Sequence, residues 1–195
     1  MNCKKKRLFD VIFSILFLIV FLPLMGLVAI VLRIFQGNPI IYYKKMIGLN
    51  GKSFAMLKFR TMVNNAEAEE KTVYERRLSR EKLDNDSRIT KIGTFLRKTS
   101  IDELPQLFNV LGGDMSLVGP RPIPEWIVDK LSKERKAIYL SFRPGITGIV
   151  QATNRNLGDF SQEFKHLEKH YYLNHSFVFD ITILFKTIFT LFKGR

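Results

Sequence analysis

Residues 11–32, VIFSILFLIVFLPLMGLVAIVL, carry no charge and consist mainly of Ile, Leu, Val and Phe. A run of this length passes the threshold of about 18–20 apolar residues for a helix that crosses a bilayer. It is too long for a cleaved signal peptide, and no small-residue cleavage site follows it. Two features oppose a straight crossing. Pro23 falls near the middle, where it removes a backbone hydrogen bond and kinks a helix. Basic residues flank both ends, with Lys4, Lys5, Lys6 and Arg7 before and Arg33, Lys44 and Lys45 after. A straight span would leave one of these clusters on the disfavoured side. A helix-break-helix over residues 1–36 that enters and leaves by one leaflet satisfies both features, and such elements are tolerated where the freed backbone groups find partners. A kinked single span is the open alternative.

The chain of 195 residues suits one domain with a real core. Its net charge of +13 is unevenly placed, since residues 1–60 hold ten Lys or Arg and a single acid, Asp10. Such an excess fits nucleic acid, an anionic membrane surface or a phosphate-bearing substrate. The cations interleave with aliphatic residues beside the apolar run rather than forming a basic stripe with stacking aromatics, which favours anionic membrane lipids over nucleic acid. Cys3 is the single cysteine, so no intrachain disulfide forms and a reducing compartment is the simpler assumption.

Ile40–Ile47 and Ser53–Lys58 are β-prone runs joined by a segment containing Asn50-Gly51, which predicts a β-hairpin. The second run delivers Lys58 and Arg60 on one face of an extended strand, as phosphate ligands or as an edge that discourages aggregation. Residues 64–83 run from acidic to basic, as the helix dipole favours, and predict a surface helix without chemistry. Residues 84–87 read as a solvated turn rather than a calcium loop.

Ser100-Ile101-Asp102-Glu103 fits the capping box S-x-x-E at a helix start, with Pro105 in support. The capping and functional readings are compatible. A carboxylate at a helix N-terminus stays ionised, and the same end attracts phosphate, so Asp102 is a candidate metal ligand, nucleophile or both. Gly112-Gly113-Asp114 reads as a turn. Pro120-Arg121-Pro122 restricts the backbone around an arginine, which suits bidentate phosphate binding and equally a rigid exposed loop.

Five blocks occur in order: Lys58-Phe59-Arg60-Thr61-Met62; residues 102–110, DELPQLFNV; Gly113-Asp114-Met115-Ser116; Val118-Gly119-Pro120-Arg121-Pro122; and residues 143–148, RPGITG. With them the chain resembles the bacterial sugar transferase family, the small monotopic polyprenol-phosphate phosphoglycosyl transferases, over nearly its whole length. The resemblance implies transfer of a sugar 1-phosphate from a UDP-sugar to polyprenyl (undecaprenyl) phosphate, with release of UMP. It implies that Asp102 is the nucleophile, forming a phosphosugar intermediate, that Glu103 orients groups or relays protons, and that Mg²⁺ sits near Asp102. It implies that Lys58, Arg60, Arg97 and Arg121 line the site, and the further expectation is that they bind substrate phosphates. It also implies a re-entrant N-terminal helix and a place on the cytoplasmic face of the bacterial inner membrane.

The chain departs from the family pattern at three points. The family's Ser-Pro break is Leu22-Pro23 here, and leucine cannot satisfy a freed backbone group. Asn154-Arg155 stands where Gly-Arg is usual, and Arg155 remains a phosphate candidate because Asn tolerates left-handed angles. Glu168 replaces a frequent Asp. His166, His170 and His175 lack the spacing and companions of a zinc site. Phe177–Phe192 predicts an apolar helix that lies at the membrane interface or packs on the re-entrant one, rather than a second span.

The expectation is therefore an α+β, mostly helical fold. It has a re-entrant membrane element (residues 1–36), a small β-hairpin and amphipathic interfacial helices around a membrane-surface active site, with residues 37–195 as one catalytic unit. The rival is a non-catalytic, basic, membrane-anchored scaffold. Nothing in the sequence specifies the sugar or the oligomeric state.

Overall fold

The computed structural model describes residues 3–64, 66, 86–153 and 161–192. The expected surface helix over residues 64–83 and the start of the following turn therefore lie almost wholly outside the described residues, as does Arg155. The order is α1 (Cys3–Gln36), a hairpin of β1 (Ile41–Ile47) and β2 (Ser53–Phe59), α2 (Lys91–Thr99), a 3₁₀ turn (Ile101–Glu103), α3 (Gln106–Gly112) and β3 (Ser116–Val118). Then come α4 (Glu125–Val128), α5 (Lys133–Leu140), β4 (Gly145–Thr147), α6 (Ile149–Thr153), α7 (Gln162–Asn174) and α8 (Phe177–Phe192). The described fold is mostly helical α+β, as expected.

The hairpin forms where Asn-Gly predicted it. Asn50 takes φ 56° and Gly51 φ 78°, and β1 and β2 pair antiparallel from Ile47↔Ser53 to Ile41↔Phe59. Asn and Gly are the residues that enter this left-handed region at least cost. A second, parallel pair sets β3 beside β4 in the register Ser116↔Gly145 and Val118↔Thr147.

The apolar run gives one helix, not two. α1 continues from Cys3 to Gln36 with Pro23 inside it, so the expected break at Leu22-Pro23 is absent. Proline removes only its own amide bond, and the residues on either side keep helical geometry. α1 also lies along the domain from end to end. Asp10, Ser14, Met25, Val28 and Leu32 are buried, and Phe17, Leu18 and Leu24 are half-buried. These positions recur at helical spacing and make one stripe.

The rest of α1 is apolar and uncovered, with Ile19, Val20, Ile30 and Ile34 each at least 59% exposed. α8 repeats the pattern: Ile183 and Asp180 are buried, while Val178, Phe185 and Phe189 are more than 60% exposed. Apolar faces of this extent are what lipid would cover.

Two of the four N-terminal cations belong to the fold rather than to the surface. The Arg7 guanidinium donates to the carbonyls of Val110 and Leu111 at the end of α3. Lys6 Nζ lies 2.5 Å from Asp180 on α8. Lys4 and Lys5 are exposed.

Candidate functional site

Asp102 is 6% exposed and sits in the 3₁₀ turn between α2 and α3. Its neighbours fix it there. Ile101 and Leu104 pack into the cluster formed by Leu96, Phe59 and Leu32, so the turn is pinned from below by apolar burial on both sides of the carboxylate. The chain enters the turn through Ser100, whose φ of 58° ends α2 in the left-handed region.

That angle overturns the capping box. An N-cap needs extended backbone angles for its hydroxyl to reach the amides ahead, and Ser100 makes no side-chain cap bond. Glu103 does not turn back toward Ser100. Its Oε1 accepts a hydrogen bond of 3.0 Å from Lys58 Nζ on β2. The two side chains are 32% and 26% exposed, so the pair adds little to stability, but it fixes where the ammonium stands.

A residue without an assigned role in the sequence holds this geometry together. Asn109, on α3, is 5% exposed, donates Nδ2–H to the Ala55 carbonyl at 2.8 Å and accepts from the Leu57 amide at 2.9 Å. Its amide thus pairs with the free edge of β2 as another strand would, and this clamps α3 beside the strand that carries Lys58. Its position in the quoted DELPQLFNV block was the available signal.

Arg60 lies inside the fold among backbone acceptors. It is 6% exposed, and its Nη groups donate to the carbonyls of Gln36, Gly37 and Asn38 and to Asn64 Oδ1. The first of these is the last carbonyl of α1, at the negative end of its dipole, and the other two belong to the residues that follow the helix. The guanidinium therefore helps to close the end of α1, while Lys58 on β2 reaches Glu103. Arg97, half-buried at the end of α2, donates Nε–H to Thr61 Oγ1 at 2.8 Å. The 3₁₀ turn packs on both β2 and α2, so Arg97 and Lys58 flank it from two sides.

Arg121 lines a shallow cleft with Phe142, Gln151, Glu168, Tyr171 and Tyr172, and Asp102, Glu103 and Lys58 do not line that cleft. Backbone bonds fix its loop on both sides. The Gly119 amide donates to Thr147 O (3.0 Å) and the Gly145 amide to Pro120 O (2.8 Å), while the Ile123 amide donates to Tyr139 Oη (2.9 Å). The ladder and Tyr139, as well as the two prolines, hold the arginine.

Glu168 accepts from Arg135 at 2.6 Å across α7 and α5. Burial pushes the phenols of Tyr139 and Tyr171 well above the ordinary tyrosine range, and for Tyr171 the charge of Asp180 adds to it. Both remain protonated donors at neutral pH.

The described residues contain no group of three or more His, Cys, Asp or Glu able to hold a metal alone. His170 and His175 are hydrogen-bonded to Asn174 and to the Tyr172 carbonyl.

The bacterial sugar transferase profile matches residues 1–194. The chain belongs to the bacterial sugar transferase family. It is 41% identical over 192 residues to the exopolysaccharide production protein ExoY of Sinorhizobium fredii, covering 94% of this chain and 83% of that protein. It is 43% identical over 192 residues to the undecaprenyl-phosphate galactose phosphotransferase of Salmonella typhimurium, covering 93% of this chain and 39% of that one. The UDP-galactose-lipid carrier transferase of Erwinia amylovora is 40% identical over 200 residues, with 96% and 40% covered. The chain thus spans about two fifths of the length of the last two. Within this member of the family, the five ordered motifs fall on the 3₁₀ turn, the strand edge that faces it, the α3–β3 turn, the arginine loop and the β4 region.

Proposed function

We propose that this chain transfers a sugar 1-phosphate from a UDP-sugar to polyprenyl phosphate at the cytoplasmic face of the bacterial inner membrane, and so starts a membrane-linked glycan. The observation that carries the reading is the buried carboxylate of Asp102, held in a rigid turn beside the Lys58–Glu103 pair. In support, the Salmonella relative is named for transfer to undecaprenyl phosphate and the Erwinia relative for a UDP-galactose donor.

In this reading a carboxylate oxygen of Asp102 attacks the sugar-linked phosphorus, forming a P–O bond. The bond from that phosphorus to the bridging oxygen breaks, and UMP leaves with the oxygen. A phosphate oxygen of the polyprenyl acceptor then attacks the same phosphorus, the acyl-phosphate bond breaks, and the carboxylate is regenerated. Lys58 and Arg97 draw the diphosphate toward the turn, because anionic attack on an anion needs positive charge at the phosphoryl oxygens. Arg121 and, outside the described residues, Arg155 bind further phosphate oxygens. Glu103 holds the Lys58 ammonium in position.

The donor set fits Mg²⁺, which is commonly bound by one or two carboxylates while substrate phosphates fill other positions. Asp102 would hold the ion, with Glu103 adjacent, and the bound ion would neutralise charge on the diphosphate.

The uncovered faces of α1 and α8 dip into one leaflet, so that both ends of α1 stay on the cytoplasmic side as a monotopic anchor, and Lys4 and Lys5 meet anionic headgroups. Residues 1–36 form this membrane element and residues 37–195 the catalytic unit.

Two measurements test the proposal. The purified chain in nanodiscs with polyprenyl phosphate and Mg²⁺ is expected to release UMP from at least one of a broad panel of UDP-sugars. No release from any donor would favour the scaffold. Single cysteines placed at positions 5 and 34, in a chain whose Cys3 is replaced by Ser, are expected to react with a membrane-impermeant thiol reagent from the cytoplasmic side only. Labelling from opposite sides would mean a crossing.

A further inference from the structure

Asp10 is the single acid among the first sixty residues, and it opens the apolar run of α1. It is 2% exposed. A carboxylate in that place is costly unless its oxygens are bonded, and intramembrane or membrane-edge acids that persist generally have a task. The charge of Lys6 acts on it from one turn away, and its two hydrogen bonds come from elsewhere. Oδ2 accepts from Ser116 Oγ at 2.8 Å, and Oδ1 accepts from the Leu117 amide at 3.2 Å. Both partners belong to β3, the three-residue strand that runs directly into Gly119-Pro120-Arg121.

The surrounding contacts extend the same connection. Lys6, one turn before Asp10, bonds Asp180, whose other oxygen accepts from Tyr171 Oη at 2.8 Å, and Tyr171 lines the Arg121 cleft. Asp180, Ser116 and Tyr171 are each less than 5% exposed. The first turns of α1 thus reach the arginine loop by two buried polar routes, through strand β3 and through the cleft wall.

We propose that Asp10 is a positioning residue for Arg121: by bonding both the side chain and the backbone of β3, it sets the height at which the arginine loop stands over its cleft. This rests on the reading of Arg121 as a phosphate ligand. A strand of three residues has few ladder bonds of its own, so two bonds from a buried carboxylate weigh heavily in its placement. Coupling through a contiguous rigid element predicts non-additive substitutions.

The test is UDP affinity, measured by calorimetry on the full chain in nanodiscs. Asp10→Ala is expected to weaken UDP about tenfold, and Asp10→Asn, which keeps one acceptor for the Leu117 amide, less than that. In the Arg121→Ala background, Asp10→Ala should add almost nothing, whereas with Lys58→Ala its effect should be additive. Ser116→Ala removes only one of the two bonds, carries the same test if Asp10→Ala does not fold, and should show the same dependence on Arg121. Full additivity of Asp10→Ala, or of Ser116→Ala in its place, with Arg121→Ala would overturn the positioning role while leaving Arg121 as a ligand. An Arg121→Ala variant that binds UDP normally would overturn the ligand reading and this inference with it. Absence of UMP release in the donor panel bears on the transferase reading separately, because the affinity measurement does not depend on turnover.

Discussion

Asp102→Asn is expected to lower UMP release by about 10³-fold or more, which corresponds to at least about 4 kcal/mol of barrier. The substitution keeps the shape of the side chain and replaces an anionic oxygen with an amide that cannot form the acyl-phosphate bond. The packing of Ile101 and Leu104 against the Leu96–Phe59–Leu32 cluster is left intact by the substitution, so the variant should fold. A second readout separates loss of the nucleophile from loss of binding. With radiolabelled donor and no polyprenyl phosphate, the parent chain should retain label on the protein and the Asn variant should not. UMP release at the parent rate by Asp102→Asn would sink the covalent mechanism.

Gly119→Ala is expected to give a large loss of stability for a single-methyl change, as Gly93→Ala and Gly145→Ala would, since all three positions face backbone at close range. A Cβ at this position would overlap the Arg143 carbonyl oxygen and lie 2.9 Å from the Gly145 amide nitrogen. Both are backbone atoms of the neighbouring parallel strand and its approach, so neither can step aside as a side chain would. Overpacking of this kind costs about 1–3 kcal/mol or more, and in a chain of this size each kcal/mol lowers the melting temperature by about 2–4 °C. Relief by separating β3 from β4 would carry the Arg121 loop with it, so affinity for UDP should fall as well. Gly26→Ala is the control, since a methyl group there meets nothing within 4 Å. Equal melting temperatures for the two variants would refute the close packing.

Much of the site was legible in the chain because its parts are local. Asp102 and Glu103 are adjacent, Arg121 sits between prolines, and Asn50-Gly51 specifies its turn through backbone angles that few other residues adopt. The roles of Arg60 and Ser100 were not legible. Alternation on a strand says which residues share a face, and it put Lys58 and Arg60 together. It does not say that the end of a helix more than twenty residues earlier, and the two residues after it, would present three carbonyls to one of them. The capping box failed for a related reason. The S-x-x-E pattern is satisfied in sequence, but α2 ends at Ser100 in a left-handed angle, and β2 brings a lysine within reach of Glu103.

By itself, then, the sequence determined the hairpin, the apolar N-terminal helix and the candidate residues for phosphoryl chemistry, because those follow from local composition, short-range backbone preference and ordered motifs. Tertiary structure alone decided which cation faces which carboxylate. It also decided that α1 runs unbroken through Pro23 with one stripe against the domain, and that Asp10 bonds the strand leading to Arg121. Those outcomes depend on contacts between residues as much as 174 positions apart, where burial and hydrogen-bond satisfaction across elements outweigh any local signal.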